Sequence, residues 1–456
     1  MHSAEFVYLF RHALLRDAAY QLHVPTDRAR LHKLAIEIIE ATFTDAELEP
    51  LAADLADHAR LAQSGSALHD APFLTLEAGY LAKAARFAEM SGRLPEAATL
   101  FGRLAAHSAT APTDKLAAKM KYGQFSMYSG RVLQSVELLE RAALEARAQN
   151  DVNASLNAAL LIAQGQLALG QWRQALQCVE DALVLARSIA ASTMTRKLRV
   201  VHRQILRSLG RWDEALAGLD EEFQQAERDN DREIQCLLYS VRASVLSDQG
   251  HFEASLAPTR RAMELAAQMN PRLRYFALAG GLGGSLRSMG KLREALPLLK
   301  EAVEGLAALG DRRNQCTFLN SLASCEMDSG AYVEAEKMLR LAIEIATETG
   351  NSRAYRTALV TLSEAQAAQG RLAEAVANSE IAVQSAIAQG DAAVLPDLRC
   401  VLSHVLRMNG KTEQANEQWE LAFKEMEAPG MQRLRELKIS ERQAWERRYT
   451  RKTDNA

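Results

Sequence analysis

Residues 170–182 read GQWRQALQCVEDA, a glycine, an aromatic two places on, and alanines at the fifth and twelfth places after the glycine. Stepping by 40 residues from Gly130 meets Gly170, Gly210, Gly250, Gly290, Gly330, Gly370 and Gly410 without a miss, in a chain with 24 glycines among 456 residues. Chance does not produce that column. Midway between its members lies a second one, Asn150, Ala190, Asn230, Asn270, Gly310, Gly350, Gly390 and Gly430. Glycine and asparagine tolerate the left-handed conformation in which helices commonly end, so each column predicts a helix stop and each interval predicts a hairpin of two helices, A and B.

The side chains between the stops carry the packing. Two places after each glycine stands an apolar anchor: Leu94, Val132, Trp172, Trp212, Phe252, Leu292, Tyr332 and Leu372, with Thr412 the exception. Five places after stands a small residue (Ala97, Ser135, Ala175, Ala215, Ser255, Ala295, Ala335, Ala375, Ala415), and twelve after, alanine again at 142, 182, 262, 302, 342, 382 and 422. Seven before, helix A repeats the demand with Ala85, Gly123, Ala163, Ala243, Gly283, Ala323, Ser363 and Ser403. Small residues at fixed places let neighbouring helices approach closely. A single hairpin cannot bury its apolar face, so the hairpins must stack into a one-dimensional array.

This set of columns resembles the tetratricopeptide repeat, lengthened from its usual period. The expected fold is all-α: an α-solenoid of about nine such hairpins, which the resemblance makes a right-handed superhelix with the A helices on the concave side. Asp151, Asp231, Asp311, Asn351 and Asp391 follow the second stop column, where a helix wants an N-cap.

Residues 1–70 stand outside the register. Pro25 is expected to break a helix ending near Tyr20, with a second helix starting about Thr26 as its cap. The strings FRHALLRDAAY, RARLHKLAIEIIE and LAADLADHARLAQ, with Phe10, His12, Asp17, Ala18, Tyr20, Arg30, Leu31, His32 and His58 as their most specific members, resemble the helical segment that follows the nucleotide-binding module in large bacterial signal-transduction ATPases. Those proteins are cyclase- or kinase-linked regulators with tetratricopeptide arrays. The sequence holds no GxxxxGK[ST] phosphate loop, and Met1 lies nine residues before Phe10. The resemblance therefore leaves three readings: a nucleotide-binding half on a separate polypeptide, one lost upstream, or a chain that works without it. ATP hydrolysis is not carried over. His12 and His32 are expected to hydrogen-bond within this module.

The organisation expected is a helical module over 1–70, the repeat array over 71–430, and a tail over 431–456 in which Leu434, Leu437, Ile439 and Trp445 help close the last repeat. A net charge of −3 gives no whole-molecule case for nucleic acid or anionic lipid, and no eighteen-residue apolar run predicts a membrane span. No export signal is legible, so a cytoplasmic protein is expected. The five cysteines and ten histidines show no CxxC, HExxH or other ligand spacing; no metal, cofactor or catalytic residue is expected, and the cysteines read as small buried hydrophobes.

Three irregularities bear on function. Gly280, Gly281, Gly283 and Gly284 fall inside a helix-A window at a propensity cost of roughly 3–4 kcal/mol, which suggests either close contact at Gly283 or a flexible ligand-facing point. Arg203 and Glu222 replace small residues in one repeat and are expected to pair or to turn toward a widened groove. Arg196, Arg199, Arg203 and Arg207 share one helix face, which the tetratricopeptide resemblance aims into the groove with Gln164, Arg287 and Arg407. A basic groove suits an acidic peptide, a carboxylate terminus or a phosphorylated segment; the alternative is a solvated face. The expected function is a non-catalytic scaffold that binds a protein or peptide, the partner-binding half of a bacterial signalling or transcription-regulatory system. The alternatives are a fragment of an ATPase-, cyclase- or kinase-linked regulator and, third, nucleic-acid binding through the basic face.

Overall fold

A computed structural model describes residues 20–63, 67–189, 192–389, 391 and 394–427, together with 435 and 439. Every regular element among the described residues is a helix. Clustering of close contacts divides the chain into two compact units, Met1–Met127 with Val132–Ile205, and Tyr128–Arg131 with Leu206–Ala456.

After a helix end at residues 20–21, the described part of the first unit holds α1 (Pro25–Thr42) and α2 (Asp45–Leu61) and continues as the hairpins α3 (Ala67–Met90) with α4 (Leu94–Ala106), α5 (Pro112–Tyr128) with α6 (Val132–Ala148), and α7 (Val152–Ala168) with α8 (Trp172–Ser188). In sequence, α9 (Ser192–Ser208), α10 (Trp212–Leu216) and α11 (Leu219–Arg228) supply the next repeat. The second unit then stacks α12 (Arg232–Asp248) with α13 (Phe252–Ala266), α14 (Leu273–Ser288) with α15 (Leu292–Leu309), α16 (Arg312–Asp328) with α17 (Tyr332–Glu348), α18 (Ser352–Ala368) with α19 (Leu372–Ala388), and α20 (Leu395–Met408) with α21 (Thr412–Glu425).

The glycine column does what its spacing predicts. All eight members take φ between +73° and +91°. At one of them the Gln171 amide donates to Gln166 O at 2.9 Å and the Gly170 amide to Leu167 O at 3.2 Å, which satisfies carbonyls that the end of α7 would leave without partners. Asn150 and Asn230 also take positive φ. Asn270 does not: the Pro271 ring that follows restricts the backbone before it, and the chain enters α14 through an irregular turn. Asp151, Asp231, Asp311 and Asn351 each accept a hydrogen bond from the amide three residues on, at 2.9–3.1 Å. Removing such a cap costs about 1 kcal/mol. Asp151→Ala is expected to lower the urea midpoint by that amount with unchanged slope; a slope change instead would mean that more than a cap was lost.

Small columns become helix contacts. The residues five places after the glycines, from Ala97 to Ala415, are all buried, as are the alanines twelve places after. Above them lie the leucines that anchor each interface: Leu139 in the first unit, Leu299 and Leu339 in the second, all without exposed surface. Burying one such side chain contributes about 1.5–3 kcal/mol, and each cluster draws on successive hairpins. A β-carbon on Gly283 would lie 2.7 Å from Leu299 Cγ and one on Gly280 2.4 Å from the Phe318 ring, so two of the four clustered glycines are required by packing. Gly281 and Gly284 face open space, and nothing in the structure explains them.

Several local expectations are corrected. A helix does end at Gln21 and a second one does follow, but Thr26 is not its cap: Pro25 starts α1, with Val24 as N-cap and Thr26 inside the first turn, because a ring with φ near −65° and no N–H suits that place. Asp391 is not the N-cap of the helix that follows; Val394 is. The next helix begins at Leu395 with Pro396 in its first turn, and the Asp391 carboxylate accepts from Arg356 instead. Helix B of the repeat after α9 is broken: Ala217 is extended and Gly218 takes φ +67°, which separates α10 from α11. Glu222 then falls in the first turn of α11 and stays half-buried, where a carboxylate meets the positive end of a helix. Phe10, His12, Asp17, Ala18, Ala190, Gly390, Gly430 and the tail residues Leu434, Leu437 and Trp445 lie outside the described residues.

Candidate protein-binding surface

The basic stripe of α9 is partly buried. In the first unit Arg203 is buried at 7 % exposure, and Arg196 and Arg199 are half-buried on the same side of the helix. The half-buried Gln164 sits on α7, and His202 Nε2 lies 3.8 Å from Glu180. Partial burial removes some water from a charged side chain and strengthens a contact it makes with an anion.

The second unit treats its arginines differently. Arg207 Nε lies 3.5 Å from Asp248, and Arg287 Nε donates to Asp328 at 2.7 Å. These two pairs are equivalent by repeat. Each joins the arginine three places before a column glycine to the aspartate two places before the next one. Burial raises the Asp248 carboxyl, and Arg207 opposes that rise. Arg407 donates to Asn416 Oδ1 at 2.6 Å, and its neighbour His404 is pushed down to about 4 by burial and then by the Arg407 charge, so it is neutral at pH 7. The expected stripe is therefore compensated at Arg207 and Arg287. The aspartates that do this, Asp248 and Asp328, were missing from the sequence reading, although their spacing from the arginines was available in it.

Clefts open where hairpins meet. One of about 310 Å³ is lined by Arg147, Asn150, Ser155, Cys178, Asp181 and Leu185, and in the second unit one of about 430 Å³ is lined by Asn230, Arg232, Gln235, Arg261, Glu264 and Gln268. A third of about 470 Å³ sets an apolar floor of Ile343, Leu359 and Leu362 below Arg340, Glu344 and Asn378. Cys236, Cys316, Cys325 and Cys400 are buried and Cys178 half-buried, all as free thiols, and burial pushes Cys178 and Cys316 up to about 11. Cys236 and Cys316, two repeats apart, donate to the equivalent carbonyls of Ala262 and Ala342 at 3.3 and 3.2 Å. They pack as small side chains, not as thiolate nucleophiles. Among the described residues no helix is long and apolar enough to cross a membrane, and no group of three or more His, Cys, Asp or Glu is placed to hold a metal ion.

In class the chain is an all-α solenoid of tetratricopeptide-like hairpins. Residues 313–388, which span α16 to α19, match the family model of the tetratricopeptide repeat. Curated proteins give no match. Among solved structures the chain is similar to BtubC from P. vanneervenii, at 18 % identity over 47 % of this chain and 90 % of that one, with a TM-score of 0.41. It is also similar to a signal transduction ATPase with numerous domains from Pyrococcus horikoshii that carries a tetratricopeptide repeat sensor, at 13 % identity over 96 % of this chain and 68 % of that one, TM-score 0.49. A third is a Rap protein complexed with competence and sporulation factor, at 12 % identity over 88 % and 97 %, TM-score 0.41.

Proposed function

We propose that this chain is a non-catalytic scaffold that binds a protein or peptide through its stacked A helices and works in the cytoplasm as the partner-binding half of a bacterial regulatory system. The observation that carries this reading is the packing rule itself. The small columns are consumed in holding hairpins together, which leaves the recognition of a ligand to A-helix side chains outside those columns. The division into a helical module over 1–70, an array over 71–430 and a closing tail over 431–456 belongs to the same proposal, with α3 running through the first of those borders.

The partner proposed for the first unit is an acidic segment that meets Arg196 and Arg199. Guanidinium groups fixed on one face suit carboxylates or phosphates two at a time. Arg196→Gln with Arg199→Gln is expected to weaken capture of an acidic test peptide by at least about tenfold at low salt, with helical content by circular dichroism unchanged. Equal affinity in the variant would remove the acidic partner and leave the scaffold reading standing. A separate nucleotide-binding polypeptide as a second partner is favoured by one observation. Tyr20, His32 and His58, from three strings that resemble the segment after such a module, gather at one place. Co-expression with the neighbouring genes and purification through this chain tests it, and recovery of the chain alone would count against it.

A further inference from the structure

The Tyr20 hydroxyl lies 2.9 Å from His32 Nε2, and His32 Nδ1 lies 2.7 Å from His58 Nδ1. His32 belongs to α1 and His58 to the last turn of α2, so this chain of three rings joins α1 to α2 side to side. The two imidazole rings are 4.9 Å apart. Two facing nitrogens at hydrogen-bond distance have room for one proton between them: one Nδ1–H donates and the other Nδ1 accepts. If both rings are imidazolium, both Nδ1 atoms carry hydrogen, neither can accept, and two positive charges face each other.

The charged groups around the pair add to that conflict. Arg28 on α1 sits 5.3 Å above the Tyr20 ring, and Arg60 on α2 adds repulsion to any charge on His32. Asp57 on α2 lies 3.8 Å from Arg60, but its carboxylate also accepts from Arg103 of α4 at 2.8 Å and is shared between two cations. We infer that Tyr20, His32 and His58 form a proton-operated latch, which closes α1 onto α2 while at least one imidazole is neutral and opens when both are charged. The other ties of α1, the Tyr80 hydroxyl on the Glu40 carboxylate and Lys33 over the Phe73 ring at 4.7 Å, run to α3 and keep the helix tethered.

The direction in pH follows from the group that is perturbed. Burial first, then His58 and Arg60, hold His32 below its ordinary 6.5. A base whose folded pKa is depressed binds fewer protons folded than unfolded. The contact is therefore complete above that ordinary value and is lost as pH falls below it.

Hydrogen exchange of the full chain at about pH 7.5 and about pH 5, corrected for the intrinsic rate, reads the latch directly. Protection of residues 25–42 should fall at least about tenfold relative to residues 94–106, and His58→Phe, which keeps a ring but cannot titrate, should abolish that fall. No fall in the natural chain, or the same fall in His58→Phe, would overturn the latch. Should the variant fail to fold, histidine ring titrations by NMR on the natural chain decide. Two separated protonation steps, the second coinciding with the loss of protection, support the latch, and two independent titrations near the ordinary value overturn it.

Discussion

Leu299→Ala is expected to destabilise the chain by about 2–5 kcal/mol, among the largest effects of any single truncation in the array. Leu299 has no exposed surface and lies over Gly283, where a β-carbon would come within 2.7 Å of its Cγ. Its cluster takes Leu256 from one hairpin, Leu282, Leu286 and Ala295 from its own, and Leu322 and Cys325 from the next. The void would be walled chiefly by Leu256, Leu282, Leu286 and Leu322, with Gly283 beneath it, and how far those side chains relax into it sets where in the range the cost falls. Urea unfolding followed by circular dichroism gives the magnitude. Because each repeat leans only on its neighbours, hydrogen exchange should quicken first across 252–328. A loss below about 1 kcal/mol would mean that Leu299 is not the keystone of three hairpins.

Leu299 also marks what a sequence can disclose about such a fold. Its own place is unremarkable, one leucine among many. The glycine seven before the turn and the alanine five after it, Gly283 and Ala295, are what predict a close helix contact, and the structure places both Leu299 and the Ala295 carbonyl against Gly283. Helix stops were legible for the same reason, since positive φ selects glycine or asparagine in a way that leaves a mark on the chain. The exceptions are positions where a second constraint overrides the column. Pro271 governs Asn270, Pro396 moves the start of α20 beyond Asp391, and Gly218 breaks a helix B without disturbing the 40-residue period. All three signals stand in the sequence: two prolines following the column positions, and a glycine out of column near the anomalous Glu222.

The candidate surface was less legible, because charge compensation is a property of pairs across repeats. The stripe from Arg196 to Arg207 follows from helical spacing alone. That Arg207 and Arg287 are met by Asp248 and Asp328 requires the register between neighbouring A helices, a tertiary fact. Likewise Tyr20, His32 and His58 each stood in strings that resembled a known segment. Their meeting depends on how α1 lies on α2, which no periodicity within either helix encodes.

The same dependence on pairs sets the outcome at Arg356. This arginine of α18 is 3 % exposed, donates to Gln389 Oε1 at 2.7 Å and pairs with Asp391, which ties the chain beyond α19 back to the preceding helix. Burial lowers the Arg356 pKa and the Asp391 charge opposes that, so the carboxylate is what makes a buried guanidinium tolerable. Asp391→Asn keeps the shape and removes the charge. It strands a buried cation, and the expected loss is about 2–4 kcal/mol, set below the value for a fully buried pair because the Asp391 side chain is 31 % exposed. Arg356→Met removes the cation along with its need for a partner, fills much of the same volume, and is expected to cost only about 1–2 kcal/mol. The order of the two, read from urea midpoints at equal slope, is the test. If Arg356→Met proved the more damaging, the pair would stabilise the fold by attraction rather than by relieving a buried charge, and the tie at Asp391 would count as a net gain instead of a necessity.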